Sequence, residues 1–216
     1  MEGSSTEPRG NMAAEFLAFT VDYANKLGKP LGVFLAGFSR GGASAIHACQ
    51  QLKKRDVIVD ALFLFDAVDR AYGVSADKIP RNVRSVYHAR RDGAADSRGI
   101  FGNCGLERED PSCTAYKEAP FHCTHGAMGG TPWTEAGWDG KIYEDHLPIS
   151  KGMIILLGLP MLPVALTYVA TLRTKVTLAQ ESAGSAAVFV WMKERLEAEI
   201  AKLPKAGQSG KNVPSG

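Results

Sequence analysis

The stretch Leu31-Gly32-Val33-Phe34-Leu35-Ala36-Gly37-Phe38-Ser39-Arg40-Gly41-Gly42 carries an apolar run directly into G-x-S-x-G, Gly37 to Gly41, and a helix-like stretch from Gly42 to Leu52 follows. Strand, tight turn and helix form the setting that lifts a serine hydroxyl clear of its own backbone, so that an imidazole can reach it and remove its proton. Glycine is expected on both sides, because the turn strains the serine backbone and leaves little room for neighbouring side chains. The competing reading is a glycine-rich βα turn that contains a serine. The strand before and the helix after favour a nucleophile at Ser39.

Outward from this turn the pattern alternates. Met12, Phe16, Phe19, Tyr23 and Leu27 recur at helical spacing, and Gly28 and Pro30 stop that helix before the apolar strand. Downstream, Ala61-Leu62-Phe63-Leu64-Phe65 reads as a buried strand ending at Asp66, and Val83-Arg84-Ser85-Val86-Tyr87-His88 as another ending near Asp92. Strands alternating with helices predict an α/β fold with a mostly parallel sheet and flanking helices. Such sheets bind ligands beyond the carboxyl ends of their strands, where Ser39, Asp66 and Asp92 all fall.

Past Arg98 the chain loosens around Gly99, Gly102, Gly105 and Pro111, and a segment from Ala119 to Cys123 then leads into Thr124-His125-Gly126-Ala127-Met128-Gly129-Gly130. A histidine on such a loop, just past a strand, is placed to swing over the serine. Of the five histidines, His47 falls on the helix after the elbow, His88 inside a strand, His122 before the loop and His146 after it in a polar stretch. His125 has the best setting for a general base; the alternative is a loop histidine bonded to a neighbouring carbonyl. Serine, then aspartate, then histidine is the chain order of the α/β-hydrolase triad, so the expected chemistry is acyl transfer with Ser39, Asp66 or Asp92, and His125. The backbone N–H of Arg40 is the expected oxyanion donor, with a second to come from the segment before Met12, a partner or a longer native chain. The Arg40 side chain reads equally as a phosphate contact or as half of a surface ion pair.

A chain of 216 residues with 45% hydrophobic and 22% charged content is read as one domain over 1–203, followed by a disordered tail over 204–216. A net charge of +2 with scattered Lys and Arg gives no case for a nucleic-acid partner. The opening residues lack the basic and apolar regions of a signal peptide, so the protein is expected to be cytoplasmic, exported without a cleaved signal, or lacking its true beginning. Cys104, Cys113 and Cys123 crowd one stretch with His122 and His125, but their spacing matches no paired-ligand zinc pattern; no metal or other cofactor is expected, and unpaired thiols are preferred to a local disulfide, which an oxidising compartment would allow. From Gly152 to Leu172 no charged residue interrupts an apolar run long enough to cross a bilayer as a helix, although Pro160 and Pro163 argue against one straight helix. That insertion, 152–172, reads as core or lid packing, as a lipid-facing element that gives membrane contact, or as a span. The final helix, with Phe189, Met192, Leu196 and Ile200 at helical spacing, is expected to cover the sheet.

Four blocks in order, Gly37-Phe38-Ser39-Arg40-Gly41-Gly42, Phe65-Asp66-Ala67-Val68, His125-Gly126-Ala127-Met128-Gly129-Gly130 and Ser185-Ala186-Ala187-Val188-Phe189-Val190-Trp191-Met192, resemble the GFSRGA, DTV, HxDVGG and S-x-x-A-x-x-W-M blocks of the DUF2235 family, which includes phospholipase effectors of type VI secretion. The resemblance implies an α/β-hydrolase fold, here without the first strands that family members place ahead of the elbow. It also implies hydrolysis of carboxylic esters, acyl lipids or phospholipids among them, with Ser39 as nucleophile and His125 as base, and it favours Asp66 over Asp92 as the acid. The reading from another class is a non-catalytic or truncated α/β module that binds a membrane or protein partner.

Overall fold

The computed structural model describes residues 6–69, 75–98, 102–144 and 173–204. His146, the apolar insertion 152–172 and residues 205–216 of the expected tail lie outside the described residues.

A helix, α1 (Thr6–Lys26), precedes the strand β1 (Phe34–Phe38), which turns at Ser39 into α2 (Arg40–Lys53). β2 (Val59–Phe65), a two-residue β3 (Lys78–Ile79), β4 (Val83–Arg91), β5 (Glu107–Arg108) and β6 (Ala115–Phe121) follow. The four longer strands form one parallel sheet in the order β1-β2-β4-β6. The predicted mostly parallel α/β sheet with flanking helices is therefore present. A short α3 (His125–Met128), an antiparallel pair β7 (Lys141–Tyr143) and β8 (Arg173–Thr177), and the long α4 (Leu178–Ile200) complete the described chain.

Alternation along the strands divides the core in two. Leu35, Leu62, Leu64 and Val86 face α2, where they meet Ile46, Cys49 and Leu52. Their neighbours Ala61, Phe63, Tyr87 and Ala89 face the other way, onto Met128, Val188 and Met192. Each leucine-sized side chain buried in this way contributes roughly 1.5 to 3 kcal/mol, so a strand buried on both faces needs the continuous apolar run seen in β2.

Two helices bury different faces from those their large apolar residues suggest. In α1, Met12, Phe16, Phe19 and Tyr23 point outward and are 58 to 70% exposed, while Ala13, Ala14, Leu17, Ala18 and Val21 pack inward. The reason is close approach: a Cβ at Gly10 would lie 2.7 Å from His47 Cδ2 and 2.8 Å from the Ser44 carbonyl. Only the small face of α1 fits against α2 at that distance. In α4, Val188 and Met192 are buried, but Phe189, Leu196 and Ile200, expected to cover the sheet, are exposed. The helix begins at a capping box in which the Thr177 side chain and Gln180 satisfy each other's backbone N–H groups.

The sheet ends matter for the site. β6 begins at Ala115, ahead of the segment anticipated from Ala119, and tolerates Pro120 because it is an edge strand. At the opposite end β1 is bordered on one side by β2: Val33 accepts from Asp60 and Ser39 donates to Phe65, which leaves the backbone groups of Phe34, Ala36 and Phe38 on the other edge. Among the described residues no strand pairs with that edge, and no helix among them is long and apolar enough to cross a membrane. The four cysteines are free thiols, with Cys113 exposed and the other three buried.

Candidate active site

Ser39 sits between β1 and α2 at φ 54 and ψ −127, a conformation that costs a non-glycine residue on the order of 1 to 3 kcal/mol. Backbone bonds hold it there. Its N–H donates to Phe65 O at 3.0 Å, and its carbonyl accepts from Gly42 at 2.9 Å and Val68 at 3.1 Å. The hydroxyl makes no capping bond to α2. Crowding explains two of the glycines: a Cβ at Gly37 would lie 2.3 Å from Gly41 O, and one at Gly42 would lie 2.5 Å from Ala67 Cβ. A Cβ at Gly41 meets nothing within 4 Å, so that glycine, expected to be required on the far side of the serine, is not required by space. Arg40 opens α2 with an exposed side chain, and its amide belongs to a first turn whose N–H groups have no intrahelical acceptor. Of the segment before Met12, residues 6–11 form the first turns of α1, with Asn11 Oδ1 2.9 Å from His47 Nε2.

Asp66 ends β2, fully buried. Its Oδ2 accepts from His125 Nδ1 at 2.6 Å and pairs with the Arg91 guanidinium through Nε; its Oδ1 accepts from Asn103 Nδ2 at 2.6 Å and from the Arg91 N–H at 3.4 Å. Burial raises the Asp66 pKa, but the His125 hydrogen bond, the Arg91 charge and the Asn103 amide together outweigh it, and the carboxyl is held below its ordinary value. With a carboxylate at Nδ1, that nitrogen carries a ring proton and Nε2 is the nitrogen turned away from Asp66. The ring of His125 lies 4.7 Å from that of Phe38, tilted by 31°, which sets the imidazole against the residue preceding Ser39. Gly129 leaves room for Phe38, since a Cβ there would fall 2.6 Å from its ring.

The backbone of His125 is held as firmly as its ring. Its N–H donates to Ser97 Oγ at 2.9 Å, and the Ser97 hydroxyl donates to buried Glu144 at 2.7 Å. Burial raises the Glu144 pKa against the opposing pull of Ser97, Arg98, His125 and Arg91. On the other side, buried Glu181 of α4 accepts from Thr124 N at 2.8 Å, Thr124 Oγ1 at 2.6 Å and Trp133 N at 3.1 Å. Thr124 in turn caps α3, and Ser185 Oγ donates to Ala127 O at 3.1 Å. Glu181, Arg91 and Asn103 carry no motif, and only the pairing across elements identifies them.

The remaining candidates are placed elsewhere. Asp92, the alternative acid, lies 3.2 Å from His122 Nδ1, and its side chain accepts from Ala94 N to cap the short 3₁₀ turn Gly93–Ala95. His47 bonds Asn11 and Gln51. His88 is buried between the Ala67 amide, 3.4 Å from Nε2, and the Tyr116 hydroxyl, 3.1 Å from Nδ1. Of the acid candidates, the structure brings Asp66 to His125 and sets Asp92 against His122. Among the described residues no three His, Cys, Asp or Glu side chains gather as metal ligands. No protein-family model matches the chain, and no curated protein matches it.

Proposed function

We propose that the protein is a serine hydrolase of carboxylic esters, with Ser39 as nucleophile, His125 as general base and Asp66 as the acid that orients it. The observation that carries this reading is the 2.6 Å bond from His125 Nδ1 to buried Asp66, made by a histidine whose ring rests on the residue next to a strained Ser39. The fold is read as α/β-hydrolase-like, with β1 as the elbow strand. The four-block resemblance to the DUF2235 family points the same way and favours acyl lipids or phospholipids as substrates.

In this mechanism Nε2 of His125 takes the Ser39 proton as Oγ attacks the ester carbonyl, and Asp66 stabilises the imidazolium that forms. The Arg40 N–H donates to the oxyanion, and a donor of this kind is worth about 3 to 4 kcal/mol. The tetrahedral intermediate collapses, the alcohol leaves with the proton from His125, and water then cleaves the acyl-enzyme by the same steps. A fluorophosphonate probe should label the folded protein at Ser39, and Ser39→Ala should abolish both labelling and turnover of a p-nitrophenyl ester. Retained turnover by Ser39→Ala sinks the reading.

The edge of β1, with which no strand among the described residues pairs, and the exposed apolar stripe of α1 favour a second reading, a non-catalytic module that binds a partner. Folded protein that no probe labels is its expected outcome.

A further inference from the structure

A hollow of about 390 Å³ runs beside the elbow strand, walled by Ala36 and Phe38 of β1, Met128 and Gly129 past His125, and Val188 and Phe189 of α4. Among the described residues no charged side chain lines it. The hydroxyl of Ser185 in its wall is turned to the Ala127 carbonyl, 3.1 Å away. Its apolar walls are open to solvent: Phe189 is 67% exposed and Phe38 36%. One end adjoins the site, because Phe38 precedes Ser39 and its ring contacts His125. A larger hollow, about 930 Å³, lies at the amino ends of the strands, far from Ser39 along the sheet, and mixes apolar walls with the charged Asp22, Arg55, Asp56, Asp60 and Arg84.

We propose that the groove between β1 and α4 holds the acyl chain of the ester and sets which chain lengths are cleaved. The proposal rests on Ser39 as the nucleophile and deepens that reading by naming the part of the substrate the groove takes. An ester whose carbonyl is at Ser39 and His125 can lay its acyl chain beside Phe38, where the described walls on the α4 side are Val188, Phe189 and Ser185, the last with its hydroxyl turned to the Ala127 carbonyl. Ligand pockets span roughly 300 to 1,000 Å³, so a volume near the bottom of that range accommodates one chain of modest length and not the two tails of a diacyl lipid side by side. Each methylene fully buried there raises kcat/KM by up to about fourfold, which is the discrimination such a groove can supply.

The test is a series of p-nitrophenyl esters from acetate to dodecanoate, read as the ratio of kcat/KM for decanoate to that for acetate. In the unaltered protein the ratio should exceed ten. Ala36→Trp, which fills the groove, and Phe189→Ala, which removes an exposed wall with little risk to folding, should each lower it at least fivefold. A flat profile in the unaltered protein, or a ratio unmoved in both variants, overturns the groove while leaving the serine reading intact. Absence of labelling by a compact fluorophosphonate removes the serine reading and the groove with it. A flat profile together with a dimer that Phe189→Asp splits would reassign the groove to contact between two copies of the chain.

Discussion

Arg91 and His125 share one oxygen of Asp66: the guanidinium Nε and the imidazole Nδ1 both meet Oδ2, and the Arg91 and Asp66 side chains are only 7% and 0% exposed. Asn103 takes the other oxygen at 2.6 Å, so the carboxylate is fixed from both ends. The guanidinium also donates to the Ser97 and Arg98 carbonyls, which ties this pair to the loop under His125.

On the proposed mechanism, Asp66→Asn should lower kcat/KM on p-nitrophenyl butyrate by about 10³- to 10⁴-fold, since the amide favours the wrong imidazole tautomer. Asp92→Asn should leave it within a few-fold, because Asp92 serves His122 and the 3₁₀ turn. A larger fall for Asp92→Asn makes that residue the acid. Arg91→Gln should cost about 3 to 5 kcal/mol in urea unfolding, the usual result of leaving a buried carboxylate short of its cation. A loss below 1 kcal/mol means that Asn103 and His125 suffice to hold Asp66.

Glu181 is expected to act through the histidine loop. Glu181→Gln keeps one acceptor where three donors converge, and unfolding should become easier by about 1 to 3 kcal/mol. If the loop shifts, the rate of fluorophosphonate labelling at Ser39 falls with it. Labelling at the unaltered rate, with stability reduced as expected, would limit Glu181 to a structural role.

Burial pushes the pKa of His88 down to about 4, against the opposing charge of Asp66 and Glu118. The unfolded chain takes up a proton at this residue below its ordinary value of 6.5, whereas the folded protein does not until about 4. The stabilisation is therefore complete above pH 6.5 and lost as pH falls towards 4, amounting to about 3 kcal/mol. Denaturant midpoints taken from pH 7 to pH 4 should show that decline, and His88→Gln should make it shallower over the same window. A slope unchanged by His88→Gln assigns the acid sensitivity to other groups.

The glycines of the elbow should separate sharply. Gly37→Ala places a methyl against the Gly41 carbonyl, a backbone atom that cannot swing aside, so soluble folded protein should be lost or much reduced. Gly41→Ala meets open space inside a helix and should gain up to about 1 kcal/mol of stability. Thermal unfolding of the two variants decides between this account and one in which G-x-S-x-G needs glycine at both ends.

Read alone, the sequence determined what depends on near neighbours in the chain. The apolar run into Gly37 made β1 and its turn legible, the breaks at Gly28 and Pro30 ended α1, and strand patterns put Asp66 and Asp92 beyond the carboxyl ends of β2 and β4. His125 stood out because it follows a strand on a glycine-rich loop. What the sequence left open was which strand end meets that loop, because Asp66 and Asp92 are locally alike. Asp66 and His125 are 59 residues apart, and the sheet order together with the anchoring of the loop by Ser97 and Glu181 decides their meeting. The outward stripe of α1 was hidden for a related reason. Periodicity reports that a helix has an apolar face, but when a second face of small residues exists, the distance of closest approach to the neighbouring helix selects between them, and that distance belongs to the tertiary structure alone.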